Sequence, residues 1–257
     1  MLLNHTLYGD SSSNAICIIH GLFGSSQNWT SIAKSLSSDY FVICVDCRNH
    51  GHSNHSPSMS YTDMSNDIIE LLNHLSISQC ILIGHSMGGK IAMLTTLNHS
   101  DIVTKQIIVD IAPKAYPPHH QAIIQAMKDI DLSQLKTRMD VSNSLEPIIP
   151  NLALRQFLVK NIATKPSLHW AINLSSISDN YSHIMDWPTQ SNTVQTPTLI
   201  MSGSNSDYVN ETDHSNIKQL FANTVFKSVN ASHWIHAECP ADFLTITRDF
   251  ITSNTNN

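Results

Sequence analysis

A serine framed by glycines, Gly84-His85-Ser86-Met87-Gly88, follows the apolar run Cys80-Ile-Leu-Ile and opens onto the apolar stretch Lys90-Ile-Ala-Met-Leu-Thr-Thr-Leu. A strand meeting a helix through G-x-S-x-G forces a turn so tight that its central residue is strained. The flanking positions then tolerate no side chain, because strand and helix would collide. Such a turn presents a serine hydroxyl for nucleophilic chemistry. The hydroxyl is a poor nucleophile at neutral pH, so it needs a base within about 3 Å, and imidazole is the suited group. His233, after the last strand-like run (residues 224–229), is placed to return over the sheet edge as that base. His236, followed by Ala-Glu-Cys-Pro, reads as a residue at a helix start. A third group must hold the imidazole, and two acids follow strand-like runs, Asp110 and Asp207.

The elements that would position these groups follow in order. Residues 15–20, 40–46, 80–83, 105–110 and 197–202 are apolar, β-branched runs suited to strands buried on both faces, and residues 224–229 add a further strand. Helical periodicity marks residues 29–36, 62–75 (with Thr62 as cap), 90–97, 213–221 and 242–251, and residues 252–257 form a polar tail. Strand, helix, strand without a hairpin turn implies parallel crossovers and an α/β class. The loop His20-Gly21-Leu22-Phe23-Gly24-Ser25 ends the first strand, where a backbone N–H after Gly21 can face Ser86 and join the Met87 N–H in an oxyanion hole. The loop Arg48 to Ser53 reads as structural support for the site rim, with no catalytic role.

Residues 114–192 break the pattern: no β-branched run, a Pro117-Pro118 start, and amphipathic patches at 122–130, 152–162 and 168–177. This reads as a helical lid inserted in one α/β domain spanning residues 1–257. Some of Met127, Phe157, Trp170, Tyr181 and Trp187 must face the pocket beneath it.

Composition excludes several other classes. At 257 residues and 41% hydrophobic content, the chain can bury one large core. Net charge −6, without any Lys or Arg run, argues against a nucleic-acid or anionic-membrane surface. No basic leader precedes a long apolar run and no segment reaches membrane-spanning length, so the expectation is a soluble, cytoplasmic protein acting on a small molecule. The five cysteines, three of them inside apolar runs, read as reduced core residues; Cys44-Val-Asp-Cys47 lacks a second pair for zinc. The paired histidines 50/52, 119/120 and 233/236 have no third ligand in a recognisable frame, so neither metal nor cofactor is expected.

In this order, the blocks HGLFGS (20–25), RNHGHS (48–53), GHSMGGK (84–90), VDIAP (109–113), SGSNSDYV (202–209) and SHWIHAECP (232–240) resemble the α/β-hydrolase superfamily over nearly the whole chain. The narrower resemblance is to YbfF-type bacterial esterases. Ser232 stands where relatives usually carry Gly, a mild departure. The resemblance implies a serine esterase or thioesterase, acting on acyl substrates that include acyl-CoA, with Leu22 and Met87 as oxyanion donors.

The superfamily more often takes its acid after the strand at residues 197–202, which nominates Asp207. The usual Gly-x-x-Asp frame counted from Gly203, however, lands on Ser206. Asp110 serves in some branches, is supported by the YbfF-like resemblance, and is the acid chosen here; Asp207 would then cap Asn210 or neighbouring amides. Lid aromatics favour short to medium acyl groups. Arg155, Lys160 and Lys165 offer either a solvated helix face or contacts to a CoA phosphate. The rival readings are a cofactor-free lyase or perhydrolase on the same fold, and a catalytically silent ligand-binding module.

Overall fold

The computed structural model describes residues 1–253. Its main sheet carries β1 (His5–Tyr8), β2 (Ala15–Ile19), β3 (Phe41–Val45), β4 (Cys80–His85), β5 (Val103–Val109), β8 (Thr198–Gly203) and β9 (Thr224–Val229) in the order β1-β3-β2-β4-β5-β8-β9. Only β1 runs antiparallel to its neighbour; β2 pairs in parallel with both β3 and β4, and β4-β5-β8-β9 continue in parallel. This is the α/β-hydrolase fold.

Strands β2 and β3 are apolar and buried at every position because both faces are covered. In β2, Cys17 and Ile19 face one hydrophobic cluster while Ile16 and Ile18 face the other. The first cluster receives Met64, Ile68, Leu71 and Leu72 of α2 (Tyr61–His74) and the apolar side chains of α3 (Met87–Asn98). The second receives Ile32 and Leu36 of α1 (Thr30–Leu36) and Phe243 and Phe250 of α11 (Pro240–Thr252). Helix α3 is buried from Met87 through Leu97, enclosed between sheet, α2 and the segment above.

That segment, between β5 and β8, holds α4 (Gln121–Asp129), α5 (Arg138–Leu145), α6 (Leu152–Val159), α7 (Leu174–Asp179) and α8 (Tyr181–Met185), with a small hairpin of β6 (Ile162–Ala163) and β7 (His169–Trp170). It is bolted to α3 by Lys90, whose Nζ donates to Met185 O (3.1 Å) and Asp186 O (2.7 Å) between the rings of Tyr61 and Tyr116. Helices α9 (Asp213–Leu220) and α10 (Ile235–Glu238) complete the layers.

Several local expectations change. Ser60, not Thr62, caps α2, its side chain accepting from the Asp63 N–H. Residues 152–162 stop being helical after Val159, and 168–177 begin as a strand, because Ala171 N donates to Asn161 O and closes the hairpin register. Helix α11 continues through Thr252; of the expected tail, residues 254–257 lie outside the described residues.

Candidate active site

Ser86 is the single residue between β4 and α3, with φ 52° and ψ −120°. Its backbone is tied on both sides: the N–H donates to Val109 O (3.0 Å), and the carbonyl accepts from Gly89 N (2.8 Å) and Lys90 N (3.1 Å). A Cβ on Gly84 would overlap the Gly88 carbonyl, and one on Gly88 would overlap the Ile19 carbonyl, so the turn closes only with glycine at both positions.

Asp110 directly follows β5 with φ 53° and is fully buried. Its Oδ1 accepts from Gly203 N (2.9 Å), and its Oδ2 accepts from Ser206 Oγ and from His233 Nδ1 (2.7 Å). A carboxylate accepting at Nδ1 places the ring proton there and leaves Nε2 as the nitrogen able to take another proton. The imidazole is further held by Tyr208, stacked on it at 3.9 Å and 21°, and its backbone carbonyl accepts from His85 Nε2 at 2.9 Å. Burial pushes the His85 ring well below the ordinary histidine range, so it stays neutral as that donor.

The loop after β2 is stapled by two more neutral histidines. His20 Nε2 accepts from Cys47 N (2.9 Å) and its Nδ1 donates to Gly21 O (2.7 Å). His50 Nε2 accepts from Phe23 N (3.1 Å) and its Nδ1 donates to Arg48 O (3.0 Å). Both roles require the neutral tautomer, and burial lowers His20 and pushes His50 down to about 3. Phe23 takes φ 61°, and its carbonyl accepts from Asn161 Nδ2 (2.8 Å) in the segment above. The N–H groups of Leu22 and Met87 have no hydrogen-bond partner among the described residues, and Met87 begins α3, where backbone amides and the helix dipole favour negative charge.

Ser86, His233 and Leu22 line a cavity of about 440 Å³ with Phe157, Trp234 and Trp29 among its walls. Ser86 Oγ makes no hydrogen bond among the described residues, a common state in ligand-free sites.

Of the five residues expected to pack the inserted segment or face the pocket, Phe157 faces this cavity, whereas Met127 is fully buried, Trp170 donates to its carbonyl, Tyr181 OH accepts from His120 N, and Trp187 packs beside Tyr61. Asp207 is exposed, and no hydrogen bond joins it to His233 among the described residues. The expected cap on Asn210 comes instead from Asp213, whose Oδ2 accepts from Asn210 N at 3.0 Å. His236 lies in α10, stacked on Trp29 at 4.0 Å, with burial pushing it down to about 3. Arg155 is buried, its Nη1 donating to Ile149 O and Pro150 O (2.8 Å each), which removes it from both alternatives considered for it; Lys160 and Lys165 are exposed, and Lys160 lines the cavity. Cys44 and Cys47 are buried and unpaired.

Sequence reasoning attached no role to Ser206, Tyr208, His85 or His20, whereas His50 lies in the loop read as rim support and holds Phe23 N. A signal existed for Ser206 alone, since it stands where the Gly-x-x-Asp frame expects the acid.

The family model for the alpha/beta hydrolase fold matches residues 14–240. The chain belongs to the α/β-hydrolase family. It is 39% identical to the sn-1-specific diacylglycerol lipase of Danio rerio, covering 95% of this chain and 80% of that protein. It is 32% identical to Esterase YbfF of Escherichia coli, covering 96% of each chain. A solved marine microorganism esterase superposes with a TM-score of 0.94 at 39% identity, covering 97% of this chain and 99% of its own.

Proposed function

We propose that this protein is a serine carboxylesterase working through an acyl-enzyme, with thioesters within its chemical reach. The observation that carries the reading is the 2.7 Å Asp110–His233 contact beside a serine held at positive φ in the same cavity. Esterase and lipase names among relatives above 30% identity support it.

Ser86 Oγ attacks the acyl carbonyl carbon as His233 Nε2 takes its proton. The Leu22 and Met87 N–H groups hold the oxyanion, and Asp110 stabilises the imidazolium. Collapse breaks the bond to the leaving oxygen or sulfur, which receives the proton from Nε2. Water, activated by the same nitrogen, then releases the carboxylic acid and restores Ser86. Residues 114–192 act as the lid that keeps bulk water from the acyl-enzyme, and the substrates are short- to medium-chain acyl esters or thioesters.

The test is turnover of p-nitrophenyl acetate by the wild type and by Ser86→Ala. Hydrolysis should fall at least about a thousandfold with the melting temperature retained; residual turnover above that would sink the assignment.

A further inference from the structure

Two cavities meet at Ser86. The 440 Å³ cavity touches His233; a second, of about 20 Å³, lies on the Met87 side and is walled by Met87, Lys90, Tyr116, Ile184 and Met185. Leu22, Ser86 and His120 line both and form the waist between them, while His233 lines only the larger. This asymmetry sorts the two halves of an ester. The leaving oxygen must face the imidazole that protonates it, so the leaving group departs through the large cavity. The carbonyl oxygen points to the Leu22 and Met87 amides, and the remaining substituent of the carbonyl carbon, the acyl chain, is directed to the small chamber.

That chamber has room for about one water molecule or one methyl group. Its walls do not yield readily. The carbonyl of Ile184 accepts from Tyr61 OH at 2.6 Å, and Tyr116 OH is fixed between Ala112 N (2.8 Å) and Tyr208 O (2.7 Å). The Lys90 ammonium gives two of its three N–H groups to the carbonyls of Met185 and Asp186 and sits between the rings of Tyr61 and Tyr116, which fixes it as part of the wall.

We propose that the small chamber is the acyl site and limits the acyl group to about two or three carbons, the bulk of the substrate being its alcohol or thiol portion in the large cavity. The proposal rests on the reading of Ser86 as nucleophile and narrows the substrate class to short-chain acyl esters of large leaving groups.

Hexyl acetate and ethyl hexanoate are isomers that place the same carbon chain on opposite sides of the ester. The wild type should show a kcat/KM at least about tenfold higher for hexyl acetate, because a misfit of even one methylene in a hydrophobic pocket is worth about that much. Equal rates, or faster cleavage of ethyl hexanoate, would overturn the proposal. Ile184→Ala opens one wall, and in a variant with unchanged circular dichroism the ratio should shift toward ethyl hexanoate at least about threefold. An unmoved ratio would overturn the assignment of the wall. Cleavage of both esters in the wrong order defeats this inference alone. Cleavage of neither, with Ser86 unreactive toward a phosphonate, defeats the esterase reading and this inference with it.

Discussion

At Ser86 the chain holds a non-glycine residue at φ 52°, a conformation that costs roughly 1–3 kcal/mol and persists because Val109, Gly89 and Lys90 fix the backbone around it. Asp110 repeats the device at φ 53°, aiming its carboxylate at His233 while Gly203 and Ser206 hold its other lone pairs. Asp110→Asn should lower kcat by about 10³ to 10⁴ with little change in KM, since an amide cannot fix the tautomer or stabilise the imidazolium. Asp207→Asn, at an exposed position, should cost less than about tenfold; steady-state kinetics of the two variants on one ester distinguishes the acids, and the reverse pattern would hand the role to Asp207. The tight turn at Ser86 was legible in the sequence because glycine on both sides of it has one steric reason. The carboxylate that faces His233 was harder to read. The frame from Gly203 lands on Ser206, a hydroxyl that supports the carboxylate instead of replacing it, and no local pattern reports a contact across 96 residues.

Elements were legible wherever burial imposes a period. Strands covered on both faces become continuous β-branched runs, and α2 shows its single apolar face. The segment between β5 and β8 was legible only in composition. Two-residue strands have no period to detect, and Arg155 resembles a solvated helix charge until its guanidinium folds back on the carbonyls before α6. Lys90 is a similar case. Burial lowers its ammonium to about 7, yet it remains the donor joining α3 to the end of α8. Lys90→Met should leave two carbonyls without that donor, costing about 1–3 kcal/mol. Hydrogen exchange of the amides around residues 181–187 should speed up accordingly; unchanged exchange would mean that packing alone holds the two helices together.

Across the whole molecule, buried neutral histidines couple folding to pH. His50 and His236 are pushed down to about 3 by burial, whereas in the unfolded chain both titrate near 6.5. Between those values the unfolded state binds more protons, so stability falls as pH falls, by about 1.4 kcal/mol per pH unit for each such group. His20 and His85 act in the same direction, and Asp46, held down by the Ser26 and His52 amides despite burial, adds to it at lower pH. Urea midpoints should therefore be highest above about pH 6.5 and drop steeply toward pH 4. A flat profile over that range would contradict the neutral-tautomer network drawn around the loop at Gly21.

The account stands on Ser86 being a nucleophile activated by His233, and covalent capture tests this without knowledge of the substrate. Intact-mass spectrometry after treatment with a fluorophosphonate should show one adduct on the wild type, mapped to the peptide carrying Ser86, no adduct on Ser86→Ala, and strongly slowed labelling of His233→Ala. A wild type that stays unmodified, or a Ser86→Ala variant that still takes the label, would contradict it.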